Sequence, residues 1–192
     1  GREGTDVAHL ALATTTPPMA EEDLTARLSS MLGTPADVAT RMLTGSTRAG
    51  AQALAAALDA GPWADGVALV IASDCPRGEP DSEREHAAGA GAAAFVLDGD
   101  SPGTVVHRAS HVEAYPGTRF RSTGDAETTG LGVTQYDRES YTATLEKATD
   151  ALDAALSVDA AAVQSPDGKL PYRATDALGV SAGAIAAAET VS

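Results

Sequence analysis

Short apolar runs and helical stripes alternate along the chain. His9–Thr14 is an apolar run halted by Thr-Thr-Pro-Pro, which predicts a buried strand followed by a turn. Glu21–Leu32 predicts a helix, with Leu24, Leu28 and Met31/Leu32 at helical spacing. Glu21, Glu22 and Asp23 occupy its expected first turn and Gly33 follows its end. Ala49–Leu58 predicts an Ala-rich helix stopped by Gly61 and Pro62. Its small side chains let neighbouring backbones approach, as in a buried helix.

Gly66–Ser73 is apolar almost throughout, the pattern of a central strand covered on both faces. The polar stretch Asp74–Glu85 separates it from Gly89–Leu97, expected as a second buried strand, and Thr104–Ala109 is expected as a third. Residues 112–137, rich in Gly, Thr and charge, predict a long loop. A helix is expected over Arg138–Leu156, with Tyr141, Leu145, Ala148, Leu152 and Leu156 as its stripe. Ala160–Gln164 predicts a short strand, Leu170–Leu178 a helix closed by Gly179, Ala182–Ala188 a last short helix, and Val191–Ser192 the start of a strand. No short repeat is visible. Alternating β and α elements with apolar strands predict an α/β fold with a largely covered sheet.

Composition narrows the function classes. With 192 residues and 43% hydrophobic side chains the chain can build a core, so global disorder is excluded. No apolar run approaches the ~20 residues that span a bilayer. The first ten residues, GREGTDVAHL, do not resemble a signal peptide. The single Cys, Cys75, makes neither an internal disulfide nor a Cys-based zinc site, which points to a reducing, cytoplasmic location. A net charge of −14 repels phosphate, so nucleic acid and anionic membranes are not expected partners. Only two Lys, Lys147 and Lys169, stand beside eleven Arg. An acidic, Lys-poor and aromatic-poor surface fits a protein held soluble in the concentrated salt of a halophilic microbe. A GC-rich genome accounts for the Ala and Arg but does not require the acid excess.

Three segments carry a resemblance. Val70–Leu97 (VIASDCPRGEPDSEREHAAGAGAAAFVL) resembles the part of thiolase-superfamily enzymes where a strand ends at an Asp and a Gly/Ala-rich turn starts the next strand. Ser165–Pro171 (SPDGKLP) is similar to the His-x-Pro-Asn-Gly-Lys-x-Pro segment of archaeal-type 3-hydroxy-3-methylglutaryl-CoA synthase. Thr44–Leu54 (TGSTRAGAQAL) resembles the family's nucleophile turn and the helix after it. The three occur in the family's order. The resemblance implies a five-layered αβαβα sandwich of two similar halves, of which this chain is the middle part. Residues 1–122 would belong to the N-terminal half and residues 123–192 to the start of the C-terminal half.

The family's Claisen condensation needs an acyl-carrying nucleophile, hydrogen bonds to the enolate and carbonyl oxygens, and a proton shuttle. The family supplies Cys, His and Glu. The helix motif Ala49-Gly50-x-Gln52 places the Cys position at Thr44, or at Ser46 or Thr47 if the alignment slides. The His position falls on Gln164, which can donate a hydrogen bond but cannot carry a proton. The Glu position, set by Pro17, falls on Thr14, and neither Thr15 nor Thr16 restores a carboxylate. All three roles are therefore expected to be lost together. Lys169 keeps the family's Lys, where a cation can meet CoA phosphates.

The expected function is a thiolase-fold protein handling acyl-CoA, with no cofactor and a CoA thioester as its ligand. The alternative is a non-catalytic subunit or scaffold pairing with an active thiolase-fold or acyl-CoA-binding protein. A third reading is an acyltransferase using a hydroxyl of Thr44 or Ser46. A homodimer or hetero-oligomer is expected under each. Cys75 is read as a structural or partly exposed thiol. His86 near Glu83 and Glu85 is read as solvated rather than metal-binding, and His107 and His111 as structural.

Overall fold

The computed structural model describes residues 1–61, 66–100, 103–115, 117–152, 157–164 and 169–186. The chain divides into two compact units, Gly1–Gly103 and Thr104–Ser192.

In the first unit a 3-10 turn at Gly4–Asp6 leads into strand β1, Val7–Ala13. Helix α1 (Thr25–Leu32), strand β2 (Ala39–Leu43), helix α2 (Ala49–Ala60) and strand β3 (Val67–Asp74) follow. A short helix α3 (Glu83–Ala87) precedes strand β4, Gly91–Leu97. The strand order is β2-β1-β3-β4. β1 runs parallel to β2 and to β3, whereas β4 is antiparallel to β3.

Alternation along the strands separates two faces. Ala11 and Ala13 of β1 pack with Ala68 and Val70 of β3 and with Ala49, Ala53 and Ala57 of α2. The three helix residues lie four apart, so they form one stripe, and each is at most 2% exposed. Each buried methyl contributes only about 0.8 kcal/mol. The Ala stripe matters more for the close approach it gives the helix backbone. On the other face Leu10 packs with Val7 and Val67, joined by Leu28 of α1 and by Leu69 and Ile71 of β3. The sheet is thus covered by α2 on one side and α1 on the other.

Several expectations need correction here. Helix α1 begins at Thr25, four residues later than expected, because Glu21 has a left-handed backbone (φ 59°). The Asp23 carboxylate instead sits ahead of the helix and accepts from the Thr25 N–H at 2.9 Å and the Thr25 hydroxyl at 2.6 Å. The apolar pattern predicted no strand at 39–43, yet β2 forms there as a sheet edge. Thr40 and Arg41 are solvent-exposed, so the strand lacks an apolar signature. β4 is a strand as expected but not a buried one: six of its seven residues are exposed, Phe95 to 50%.

In the second unit residues 104–109 form no strand, with Val105 and Val106 at 52% and 76% exposure. The two valines are adjacent in sequence, so a strand would send them to opposite faces and neither face would be apolar. The expected loop at 112–137 contains a small hairpin of β5 (Arg119–Phe120) and β6 (Thr129–Gly130) and the first turn of helix α4, Thr134–Asp150. Residues 153–156, including Leu156 of the expected stripe, lie outside the described residues. Strand β7 (Ala161–Ala162) pairs parallel with β8 (Ile185–Ala186). The expected last helix is only a 3-10 turn, Ala182–Ala184, and Val191–Ser192 lie outside the described residues. Leu170–Ala174 is a 3-10 turn running into helix α5 (Thr175–Leu178), which Gly179 closes as expected. The small core here is Ala174, Val180 and Ile185, flanked by Leu145 of α4. Among the described residues no helix is long and apolar enough to cross a membrane.

Candidate functional site

Parallel pairing brings the carboxyl ends of β1, β2 and β3 to one edge of the first unit. Ala13 pairs with Leu43 on one side and Ala72 on the other. The next residue, Thr14, donates its N–H to the Leu43 carbonyl at 3.0 Å. Thr14 and Thr44 therefore stand side by side where two parallel strands end, and Asp74 ends the third. Open α/β sheets hold their ligands outside these strand ends.

Asp74 is the hub of this edge. Its Oδ1 accepts from the Thr14, Thr15 and Thr16 hydroxyls at 3.1, 3.0 and 3.1 Å. The same oxygen accepts from the Thr15 and Thr16 backbone N–H groups at 2.6 and 3.1 Å. The Thr16 N–H also reaches the Thr14 hydroxyl oxygen at 3.0 Å, and the Cys75 N–H donates to the Thr16 hydroxyl oxygen at 2.8 Å. A hydroxyl has one proton to give. Five donors thus face one carboxylate oxygen, more than its lone pairs take at once, so they share it. Thr14 itself is 4% exposed.

Thr14, Thr15 and Thr16 carry no carboxylate of their own. The structure brings one across from β3. The available signal was an ionisable residue closing an otherwise apolar strand.

Thr44 is exposed and begins the turn between β2 and α2. Gly45 adopts φ +76°, a conformation that a Cβ would strain. The Ser46 carbonyl accepts from the Ala49 N–H at 2.9 Å and its hydroxyl oxygen from the Arg48 N–H at 3.1 Å, so Ser46 is turned toward the start of α2. A hydroxyl becomes a competent nucleophile when a base takes its proton. Asp74 is poorly placed for this: β1 lies between β2 and β3, a separation of about 10 Å, or two strand spacings. The Cys75 side chain is exposed and follows the end of β3, whereas Thr44 follows the end of β2.

His9 escaped the sequence reading as a titratable group. It sits within β1 at 3% exposure, and its Nε2 has no hydrogen-bond partner. Burial, and then the charge of Arg41, push its pKa below the ordinary imidazole value.

Gln164 and Lys169 belong to the second unit. Gln164 is exposed two residues beyond β7, and Lys169 is exposed just before the Leu170–Ala174 turn. Residues 165–168 of their shared motif lie outside the described residues. Glu113 in this unit accepts from Lys147 and pairs with His111 Nε2 at 2.9 Å. The Lys147 bond first, and the His111 bond second, hold the Glu113 carboxyl down to about 2. His86 is exposed in α3, and the described residues contain no group of three or more His, Cys, Asp or Glu able to hold a metal ion.

No protein-family model matches the sequence, and no curated protein matches it. Solved structures do. MvaS in complex with 3-hydroxy-3-methylglutaryl coenzyme A is 21% identical with a TM-score of 0.66, over 79% of this chain and 37% of that one. A 3-oxoacyl-(acyl-carrier-protein) synthase III is 12% identical with a TM-score of 0.73, over 96% of this chain and 65% of that one. A Cys-to-Ser variant of OleA from Xanthomonas campestris, with bound lauric acid and lauroyl-CoA, is 15% identical with a TM-score of 0.75, over 96% of this chain and 62% of that one. The fold is thiolase-like. This agrees with the fold expected from the three sequence segments. At such identities the likeness is one of fold, and the thiolase-like chain described here covers less than two thirds of each solved relative.

Proposed function

We propose that the chain is part of an acyl-CoA-binding protein of the thiolase fold, related to archaeal-type 3-hydroxy-3-methylglutaryl-CoA synthase, in which the family's condensation chemistry is lost. Thr44, Gln164 and Thr14 stand at the positions of its Cys, His and Glu, and Lys169 meets CoA phosphate. The observation that carries this reading is the strand-end edge itself: parallel pairing puts Thr14 and Thr44 at neighbouring strand ends, and the Asp74 carboxylate there faces the Thr14–Thr16 turn and not Thr44. Fold relatives include structures solved with CoA and with an HMG synthase holding a donor acyl-carrier protein, which supports a thioester ligand. Calorimetric titration of the chain with acetyl-CoA tests this. Saturable binding is expected, weakened about tenfold by Lys169→Glu through loss of a charge-assisted phosphate contact. Absence of heat with wild type refutes the reading.

The second reading, a non-catalytic partner of another thiolase-fold or acyl-CoA-binding protein, is favoured by β4. Its seven residues, GAAAFVL, carry no charge to blunt a sheet edge, and all but Leu97 are exposed. The chain on this view works as a dimer or hetero-oligomer in the cytoplasm of a salt-loving archaeon, where salt screens its −14 charge. Light scattering across a salt series is expected to show an assembly larger than one chain at multimolar salt. A monomer at every salt concentration contradicts it.

A further inference from the structure

We propose that Asp74 is a positioning residue: its carboxylate, reaching over from β3, sets the Thr14–Thr16 turn beside Thr44. The inference deepens the acyl-CoA reading and rests on it for the ligand. β1 ends its ladder at Ala13 except for the Thr14 N–H bond to the Leu43 carbonyl, so the Thr15 and Thr16 N–H groups need other partners. The chain then enters Pro17-Pro18, which supply no N–H. Asp74 Oδ1 fills this gap, taking both the Thr15 and Thr16 N–H groups. The three threonine hydroxyls converge on the same oxygen. Thr16 closes the ring, since its hydroxyl oxygen receives the Cys75 N–H next to Asp74 in the chain.

The outer side of the turn is equally fixed, because the Thr14 N–H is bound to the Leu43 carbonyl immediately before Thr44. The carboxylate ties the end of β3 to the end of β1, and the Thr14 backbone bond ties β1 to β2. Every one of these contacts ends on an acceptor oxygen, so an amide oxygen in the same place preserves the geometry while removing the charge. A role in carrying a proton or a charge would not survive that change. A positioning role would.

Wild type, Asp74→Asn and Asp74→Ala are compared by amide hydrogen exchange and by acetyl-CoA titration. Asp74→Ala is expected to lose about tenfold or more of the protection at the Thr15 and Thr16 amides, with Leu10 and Val70 amides unchanged as the fold control. Acetyl-CoA affinity is expected to fall by a similar factor, and Asp74→Asn to restore most of both. Unchanged protection in Asp74→Ala, or lost protection with unchanged affinity, overturns the proposal. So does an Asn variant as defective as Ala. Exchange decides whether Asp74 holds the turn even if wild type takes up no acetyl-CoA, an outcome that refutes the acyl-CoA reading alone. If Asp74→Ala does not fold, Thr16→Val gives the same comparison. It removes the hydroxyl that bridges Asp74 and Cys75, so the Cys75 amide is expected to lose protection, and retained protection overturns the proposal.

Discussion

Supplied with acetyl-CoA and acetoacetyl-CoA, the chain is expected to form no 3-hydroxy-3-methylglutaryl-CoA. The reaction begins with transfer of an acetyl group to a nucleophile. At the strand-end edge the candidate is the exposed Thr44 hydroxyl, with Ser46 held toward the start of α2 by its bond from the Arg48 N–H. A hydroxyl is a weak nucleophile unless a base removes its proton. Asp74, a carboxylate at this edge, faces the Thr14–Thr16 turn from the far side of β1 relative to Thr44. Gln164 at the position expected for the family's His can donate but cannot shuttle a proton. Removing a catalytic nucleophile or its base costs on the order of a million-fold in turnover. A coupled assay for the product is therefore expected to read background. Product formation abolished by Thr44→Ala would show that a hydroxyl runs the chemistry.

Leu10→Ala should be the most damaging single truncation in the first unit. Leu10 is fully buried in β1, paired with Thr40 of β2 on one side and Leu69 of β3 on the other. It forms the centre of the core on the α1 face, with Val7, Val67 and Leu28 around it. Truncation removes the transfer free energy of three carbons and leaves a cavity that a paired central strand cannot close, at about 2–5 kcal/mol. Domains of this size have about 5–15 kcal/mol in total, so the midpoint of urea unfolding should fall steeply with its slope unchanged. Met31→Ala serves as the control: at 82% exposure it should move the stability by no more than about 0.5 kcal/mol. A loss below about 1 kcal/mol for Leu10→Ala would contradict the packing described.

The parts of the fold legible in the sequence are those where one physical signal dominated. β1 and β3 lie inside the sheet, so they read as apolar runs, and α2 reads as an Ala-rich helix that its neighbours approach closely. Edge position hid β2, because a strand half open to water carries Thr40 and Arg41 where a central strand carries Leu or Val. Edge position also made β4 misleading: its apolar sequence reads as burial, while the strand lies exposed against β3 alone. The acids of Glu21–Asp23 carry the composition of a first helical turn but act ahead of it, through the Asp23 carboxylate.

The site was legible only along each segment. Thr14 ends an apolar run and Thr44 opens a motif segment, and the register sets them at neighbouring strand ends. In the sequence Asp74 reads as a motif residue, and its tie to Thr14, Thr15 and Thr16 is not visible there. That tie spans 58 to 60 positions of chain and depends on β1 and β3 pairing in parallel, which spacing alone does not encode. His9 was hidden inside an apolar run, where nothing but burial distinguishes it.

The central claim, that this thiolase-like chain binds an acyl-CoA without becoming acylated, is tested most directly by mass spectrometry of one sample in two states. The chain is mixed with acetyl-CoA and measured under native and then denaturing conditions. The account predicts a native complex heavier by one acetyl-CoA, and a denatured chain of unaltered mass. A denatured chain heavier by one acetyl group, with the increment on Thr44 or Ser46, would contradict it.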